Sequence, residues 1–248
     1  MALRRPWPGV LAIATAIIAL IAIAAVAVGR QGNGAGPRPK LALLTSLPLV
    51  FGEDFGLQNG GSKALEALET RYRVMPIGSA NYGELSQTRF LLMAQPLAQS
   101  AENLVELDRW VRVGGRVLLL ADPMLVWPSK RPLGDKLRPP IAFSDTGLLS
   151  HWGLRLDAPE QSGPVERKLG GQTIVAASPG TLLSSQCRIE GGFVARCIIG
   201  KGRVTVVADA DFLNVDGPGG IDGPTDHNLD ALVAELKALE SRESQRFK

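Results

Sequence analysis

Asp209, Asp211, Asp216, Asp222 and Asp226 crowd into one segment, "ADADFLNVDGPGGIDGPTDHN", which runs on into His227. Hard oxygen donors gathered this closely can hold a divalent cation. Their spacing is not that of a calcium loop, which needs donors at alternate positions, a glycine at the sixth and a glutamate at the twelfth. Asp and Gly are also the residues of any exposed turn, and Asp226 stands where it could cap a following helix. A further acid, Asp122, closes the strand-like run in "RWVRVGGRVLLLADP". Ligands of open α/β sheets collect at the carboxyl ends of strands. Asp122, Asp209, Asp211 and His227 are therefore the candidates for contact with a ligand or partner. A metal site would draw on Asp209, Asp211 and Asp216, although neither metal nor cofactor is expected.

Nucleophilic chemistry has fewer supports. A strand-to-helix elbow needs Ser or Cys among small neighbours, and the strand ends read "TSLPLV", "MAQP", "LADP" and "DADF". Ser46 alone offers a hydroxyl there, with no glycine beside it. His151 and His227 lie in helical contexts and neither is tied to a nucleophile, so no catalytic residue is assigned. "NGGSK" at 59–63 is glycine-rich before a helix but lacks the spacing of a phosphate loop, which leaves only an anion site at the helix N-terminus.

Cys187 and Cys197 are the only cysteines. If "IEGGFVA" turns through three residues, Glu190 faces Val194 and the two cysteines oppose each other, close enough for a disulfide after small adjustment. If it turns through Gly191 and Gly192 alone, Cys187 faces Arg196, and two small buried thiols remain the alternative.

These side chains need a scaffold, and the apolar pattern supplies one. "KLALLT", "YRVMPI", "TRFLLMA" and "RVLLLAD" are strand-like runs separated by the helices "SKALEALETR" and "SAENLVELDRWVRVGG". The second helix opens on Ser100 as N-cap and closes on glycine, with Leu104, Leu107, Trp110 and Val111 on one face. Continuous apolar strands alternating with helices predict a parallel sheet covered on both sides. After Asp122, "PMLVWPSKRPLGDKLRPPIAF" is a proline-rich surface excursion, followed by a short helix in "SDTGLLSHWG" capped by Ser144. Period-two runs then predict antiparallel strands turned at Gly191-Gly192 and at Gly200-Lys201-Gly202. A last helix starts at Asp226 and carries Leu229, Leu232, Val233, Leu236 and Leu239 on one face.

The chain has 248 residues and a net charge of +3. No single basic stripe is present, and the seven Phe, two Tyr and four Trp are scattered. Both observations argue against nucleic acid as a partner. Residues 9–28, "GVLAIATAIIALIAIAAVAV", carry no charge and match the length of a membrane-spanning helix. A cleaved signal peptide is the competing reading, through "AVA" at Ala25 to Ala27 and the basic Arg4 and Arg5. The expected organisation is a basic leader (1–8), a transmembrane helix (9–28), a Gly/Pro-rich linker (29–40), one α/β domain (41–243) and a short tail (244–248). The domain would sit outside a bacterial inner membrane, in the periplasm.

With the strands placed, "LVELDRWVRVGGRVLLLADP", "IGKGRVTVVADADFLN" and "HNLDALVAEL" resemble the auxiliary proteins of uncharacterized ABC-type transport systems, including the gliding-motility type. The resemblance covers about Leu41 to Leu239. It implies a flavodoxin-like parallel sheet similar to class I glutamine amidotransferases, completed here by an antiparallel β extension. It also implies a membrane-tethered accessory role beside an ABC permease and ATPase. In the amidotransferases the strand corresponding to "RVLLLAD" leads into an elbow bearing a cysteine. Here that place holds Asp122-Pro123, and proline lacks the backbone N–H an oxyanion hole would use. The expectation is a non-enzymatic binding domain. The alternatives are a hydrolase or amidotransferase-like enzyme with an acidic or metal-assisted site, and a periplasmic solute-binding module.

Overall fold

Leu41 to Leu44, Leu91 to Ala94, Val117 to Leu120 and Val204 to Val207 are buried at every position. Only strands covered on both faces carry such uninterrupted runs. The computed structural model describes residues 37–52, 61–215 and 220–241, and the chain from Pro39 onward forms one unit. Among the described residues no helix is long and apolar enough to cross a membrane; the span predicted at 9–28 lies outside them.

The strands are β1 (Lys40–Thr45), β2 (Arg73–Pro76), β3 (Phe90–Ala94), β4 (Arg116–Leu120), β5 (Leu154–Asp157), β6 (Pro164–Leu169), β7 (Gln172–Ala177), β8 (Thr181–Ser184), β9 (Arg188–Glu190), β10 (Val194–Ile199) and β11 (Gly202–Val207). The helices are α1 (Lys63–Glu69), α2 (Tyr82–Leu85), α3 (Ala101–Arg112), α4 (Leu148–His151) and α5 (Asn228–Glu240). Seven strands form one sheet in the order β2-β1-β3-β4-β11-β10-β9. The first five are mutually parallel, while β10 and β9 continue the sheet antiparallel. The predicted antiparallel extension is thus not a separate layer, because β11 is at once its last strand and the fifth parallel strand of the main sheet. Two small sheets, β5 with β8 and β6 with β7, stand apart. The pairing of β5 with β8 and the single turn of α2 are absent from the sequence reading, being too short to show a period.

Two predicted helix starts shift. Ser144 does not cap α4; the Asp145 carboxylate accepts the N–H groups of Gly147 and Leu149 instead. Helix α5 begins two residues after Asp226, with His227 at the N-cap position and no side-chain cap. Ser100 does cap α3, accepting the N–H of Asn103 at 3.3 Å.

The glycines of the two quoted motifs meet each other. A Cβ on Gly202 would run into the carbonyl of Val111 at the end of α3, and one on Gly115 would enter the ring of Trp110. These glycines let the end of α3 lie directly on the β10–β11 turn, where the N–H of Lys201 donates to the Arg112 carbonyl at 2.9 Å.

Helix α5 is tied down by charge. Glu235, 1% exposed, takes both terminal guanidinium nitrogens of Arg196 on β10 at 2.6 Å each, and the N–H of Gly170 at 2.9 Å. Replacing Arg196 by Met strands that carboxylate and should cost about 3 kcal/mol, the lower end for a broken buried pair because Arg196 is partly solvated. Adding Glu235→Leu should recover most of the loss. Urea denaturation of the single and double variants measures both effects.

Candidate functional site

Strand register brings the first acids together. Leu120 pairs with Val207 across β4 and β11, so Asp122 and Asp209, each two residues further on, leave the sheet side by side. Asp211 follows in a short 3-10 turn, Asp211–Leu213. All three are buried, Asp122 and Asp209 completely, and each has a carboxylate oxygen within 4.8 Å of the others. These three are the residues that could hold a hard cation.

Their oxygens are already engaged. Asp122 accepts the N–H of Met124 at 2.8 Å on Oδ1 and those of Ala210 and Asp211, at 2.9 and 3.4 Å, on Oδ2. Asp209 accepts Phe212 N–H at 2.8 Å and Ala177 N–H at 3.0 Å, one on each oxygen. Asp211 Oδ2 accepts Val126 N–H at 2.7 Å. Asp211 Oδ1 alone receives no N–H. The Asp122 and Asp209 carboxyl groups lie nearby, within 4.8 Å.

Electrostatics point the same way. Burial raises Asp122 despite the opposing pull of its backbone N–H donors. Burial, with the charges of Asp122 and Asp211, holds Asp209 well above the usual carboxylate range. Asp211 is pushed up to about 8 by burial and by the charge of Asp122. Three carboxylates with no cationic side chain among their hydrogen-bond partners repel one another, and a retained proton or a bound cation would relieve that repulsion.

The other predicted residues do not join them. His227, Asp222 and Asp226 are exposed, and Asp216 lies outside the described residues. His151 is exposed and sits 3.3 Å from Asp108. The hydroxyl of Ser46 donates to the Gln95 carbonyl. Of the "NGGSK" stretch, Asn59 and Gly60 lie outside the described residues, and Ser62 Oγ accepts the Leu65 N–H at the start of α1. Cys187 and Cys197 form a disulfide, with Cα atoms 4.6 Å apart. The register is that of the three-residue turn, Glu190 facing Val194.

At the strand-end place expected for an elbow, Asp122 has no left-handed backbone. Among the described residues only Gln95 and Ser178 combine a side chain with a left-handed backbone, at φ of 43° and 54°. The strained strand end is therefore Gln95, at the end of β3. Its amide holds the loop after β4, accepting Asp122 N–H at 3.0 Å and donating to the carbonyls of Asp122 and Pro140 at 3.1 and 3.2 Å. Asn228 was missed as well. Fully buried, it exchanges two hydrogen bonds with the backbone of Val175 and donates a third to Phe212. An amide closing an apolar strand, as in "MAQP", is the signal that could have exposed Gln95; nothing in "DHNLD" singles out Asn228.

No protein-family model and no curated protein matches the chain. Among solved structures it is similar to a cytoplasmic protein from Salmonella typhimurium LT2, at 10% identity and a TM-score of 0.51, covering 82% of this chain and 100% of that one. A ThuA-like protein from Bacteroides uniformis gives 10% identity and a TM-score of 0.46 over 85% and 94%. A beta-galactosidase from Bacillus circulans gives 14% and 0.48 over 81% and 31%, so the chain spans about a third of that enzyme's length. Likeness at this distance concerns the fold, a mixed α/β unit with a mostly parallel central sheet.

A carboxyl group whose folded pKa lies above its unfolded value binds an extra proton in the native state, so its contribution is present at low pH and is lost as pH rises through the folded value. For Asp211 that window runs from about 4 to about 8. Thermal unfolding should therefore show stability falling between about pH 4 and pH 8 and levelling off above it. Asp211→Asn, whose amide can donate to Asp122 without a titrating proton, should flatten that fall and match or exceed the parent at pH 9.

Proposed function

We propose that the chain is a membrane-anchored, non-catalytic accessory domain working beside an ABC-type transport system on the outer side of a bacterial inner membrane. In finer class its sheet is read as flavodoxin-like and similar to the class I glutamine amidotransferases. The strand order β2-β1-β3-β4-β11 follows the 2-1-3-4-5 pattern of that group. The uncharged run at 9–28 supplies the anchor, and the Cys187–Cys197 disulfide suits an oxidising compartment.

One observation carries the non-catalytic reading. The acids standing where strand-end chemistry would occur are buried and spend nearly every oxygen on backbone N–H groups. A substrate has no access to them without unmaking the loops they hold. The motif glycines likewise serve close packing of α3 on the β10–β11 turn.

Cross-linking in native membranes followed by purification of the full chain tests the role: an ABC permease and its ATPase should be recovered, and recovery of neither overturns it. The compartment is tested separately with a thiol-alkylating reagent on intact cells, where Cys187 and Cys197 should react only after reduction.

The hydrolase reading keeps one point in its favour, since carboxyl groups with raised pKa values at strand ends are a feature of acid catalysis. Turnover of ester, amide or glycoside substrates by the full chain, lost in a folded Asp211→Asn variant, would establish it in place of the accessory role.

A further inference from the structure

Each of the five parallel strands starts on or beside a cation. Register sets Lys40 of β1 opposite Arg73 of β2, and with Leu41 opposite Phe90 it brings Lys40 alongside Arg89 as well. Arg116 of β4 lies opposite Arg203 of β11, and Lys201 stands in the turn just before it. The sequence shows no basic stripe because these residues come from separate strands. Arg116 and Arg203 are engaged at the end of α5, donating to the carbonyls of Glu240 at 2.6 Å and Ser241 at 2.8 Å. The acids Asp108 and Glu240 are matched by Arg112 and Arg71, and Glu69, exposed at the end of α1, adds one negative charge. Lys40, Arg73, Arg89 and Lys201 are exposed and make no ion pair among the described residues. Two aliphatic side chains stand at the same edge: Val113 at the end of α3, 71% exposed, and Ile198 opposite Arg203 on β10, 61% exposed.

This amino edge of the sheet is also where the chain enters the fold, at Lys40. Residues 29–39, which follow the uncharged run at 9–28, reach at most about 40 Å when fully extended. A tether that short holds the point of entry close to any bilayer the run spans. We infer, on the membrane-anchored reading proposed above, that the amino edge of the sheet binds the anionic phospholipid headgroups of that bilayer. Unpaired cations are drawn to a negatively charged membrane surface within about a Debye length, ~8–10 Å. Exposed aliphatic side chains among cations suit the boundary between headgroups and acyl chains. A nucleic acid would meet the same cations but gain nothing from Val113 and Ile198.

Lysine acetylation read by mass spectrometry tests it, with the full chain reconstituted in nanodiscs of phosphatidylcholine alone or mixed equally with phosphatidylglycerol. Lys40 and Lys201 should react at least threefold more slowly in the anionic discs, while Lys136, beyond the carboxyl ends of the strands, and Lys168, on β6, react alike in both. Molar salt should abolish the difference. Arg73→Glu combined with Arg89→Glu, at exposed positions without ion pairs, should remove the protection of Lys40, with urea unfolding confirming that the variant folds. Equal acetylation in the two kinds of disc, or indifference to salt and to the double variant, overturns the inference and leaves the anchored reading standing. If the chain fails to enter discs, phosphatidylglycerol vesicles added to it apply the same comparison: the anchored reading then falls, and the inference survives only if Lys40 and Lys201 are still protected. Protection by double-stranded DNA without any by phosphatidylglycerol overturns the inference in favour of a nucleic acid.

Discussion

Everything at the carboxyl end of the sheet depends on a few acids accepting backbone N–H groups away from water. The chain leaves β4 in an irregular loop and β11 for a single 3-10 turn, and the freed donors at Met124, Val126, Ala210 and Phe212 would be orphaned inside the fold. Leaving a buried donor unmet costs about 1–3 kcal/mol each. Asp122, Asp209 and Asp211 meet them together. Asp209 also reaches Ala177 at the end of β7, which fastens a hairpin outside the main sheet to the strands within it. Self-repulsion among three acids is the counterweight.

The same logic recurs around α5 with other side chains. Asn228 satisfies Val175 and Phe212 at the beginning of the helix, and Glu235 satisfies Gly170 and Arg196 two turns later. The β6–β7 hairpin is thereby attached through polar groups as much as through apolar contact. Its outer strand explains why: β6 alternates exposed and half-buried residues up to the buried Leu169 and has little other apolar surface to offer.

The parallel core was legible because Leu41, Leu91, Val117 and their followers have no polar interruption, and continuous runs between helices have few other solutions. The disulfide was legible as one of two registers, and backbone pairing chooses between them: with Glu190 opposite Val194, the alternation of the hairpin carries Cys187 to Cys197. The sequence analysis placed Asp122, Asp209 and Asp211 at strand ends, yet their acceptor role was hidden. It depends on the loop of Val126 and the hairpin of Ala177 folding back, and those contacts join residues far apart in the chain. Gln95 escaped for a related reason. Residues before proline ordinarily favour extended backbone, so its left-handed turn reflects tertiary bonds to Asp122 and Pro140 and not local preference.

The disulfide lies one strand in from an open margin, and that position has a consequence for assembly. β9 is three residues long and is cross-linked to β10 just before it begins, while at the opposite margin β2 presents Arg73 and ends on Pro76. Short, charged or proline-bearing margins are poor templates for strand addition. With β9 unable to peel away, neither flank of the sheet invites another chain to extend it. A protein docking on the main sheet would then read side chains on the helical faces or the loop-covered strand ends, the parts of the molecule in which composition can vary without disturbing the ladder of hydrogen bonds beneath.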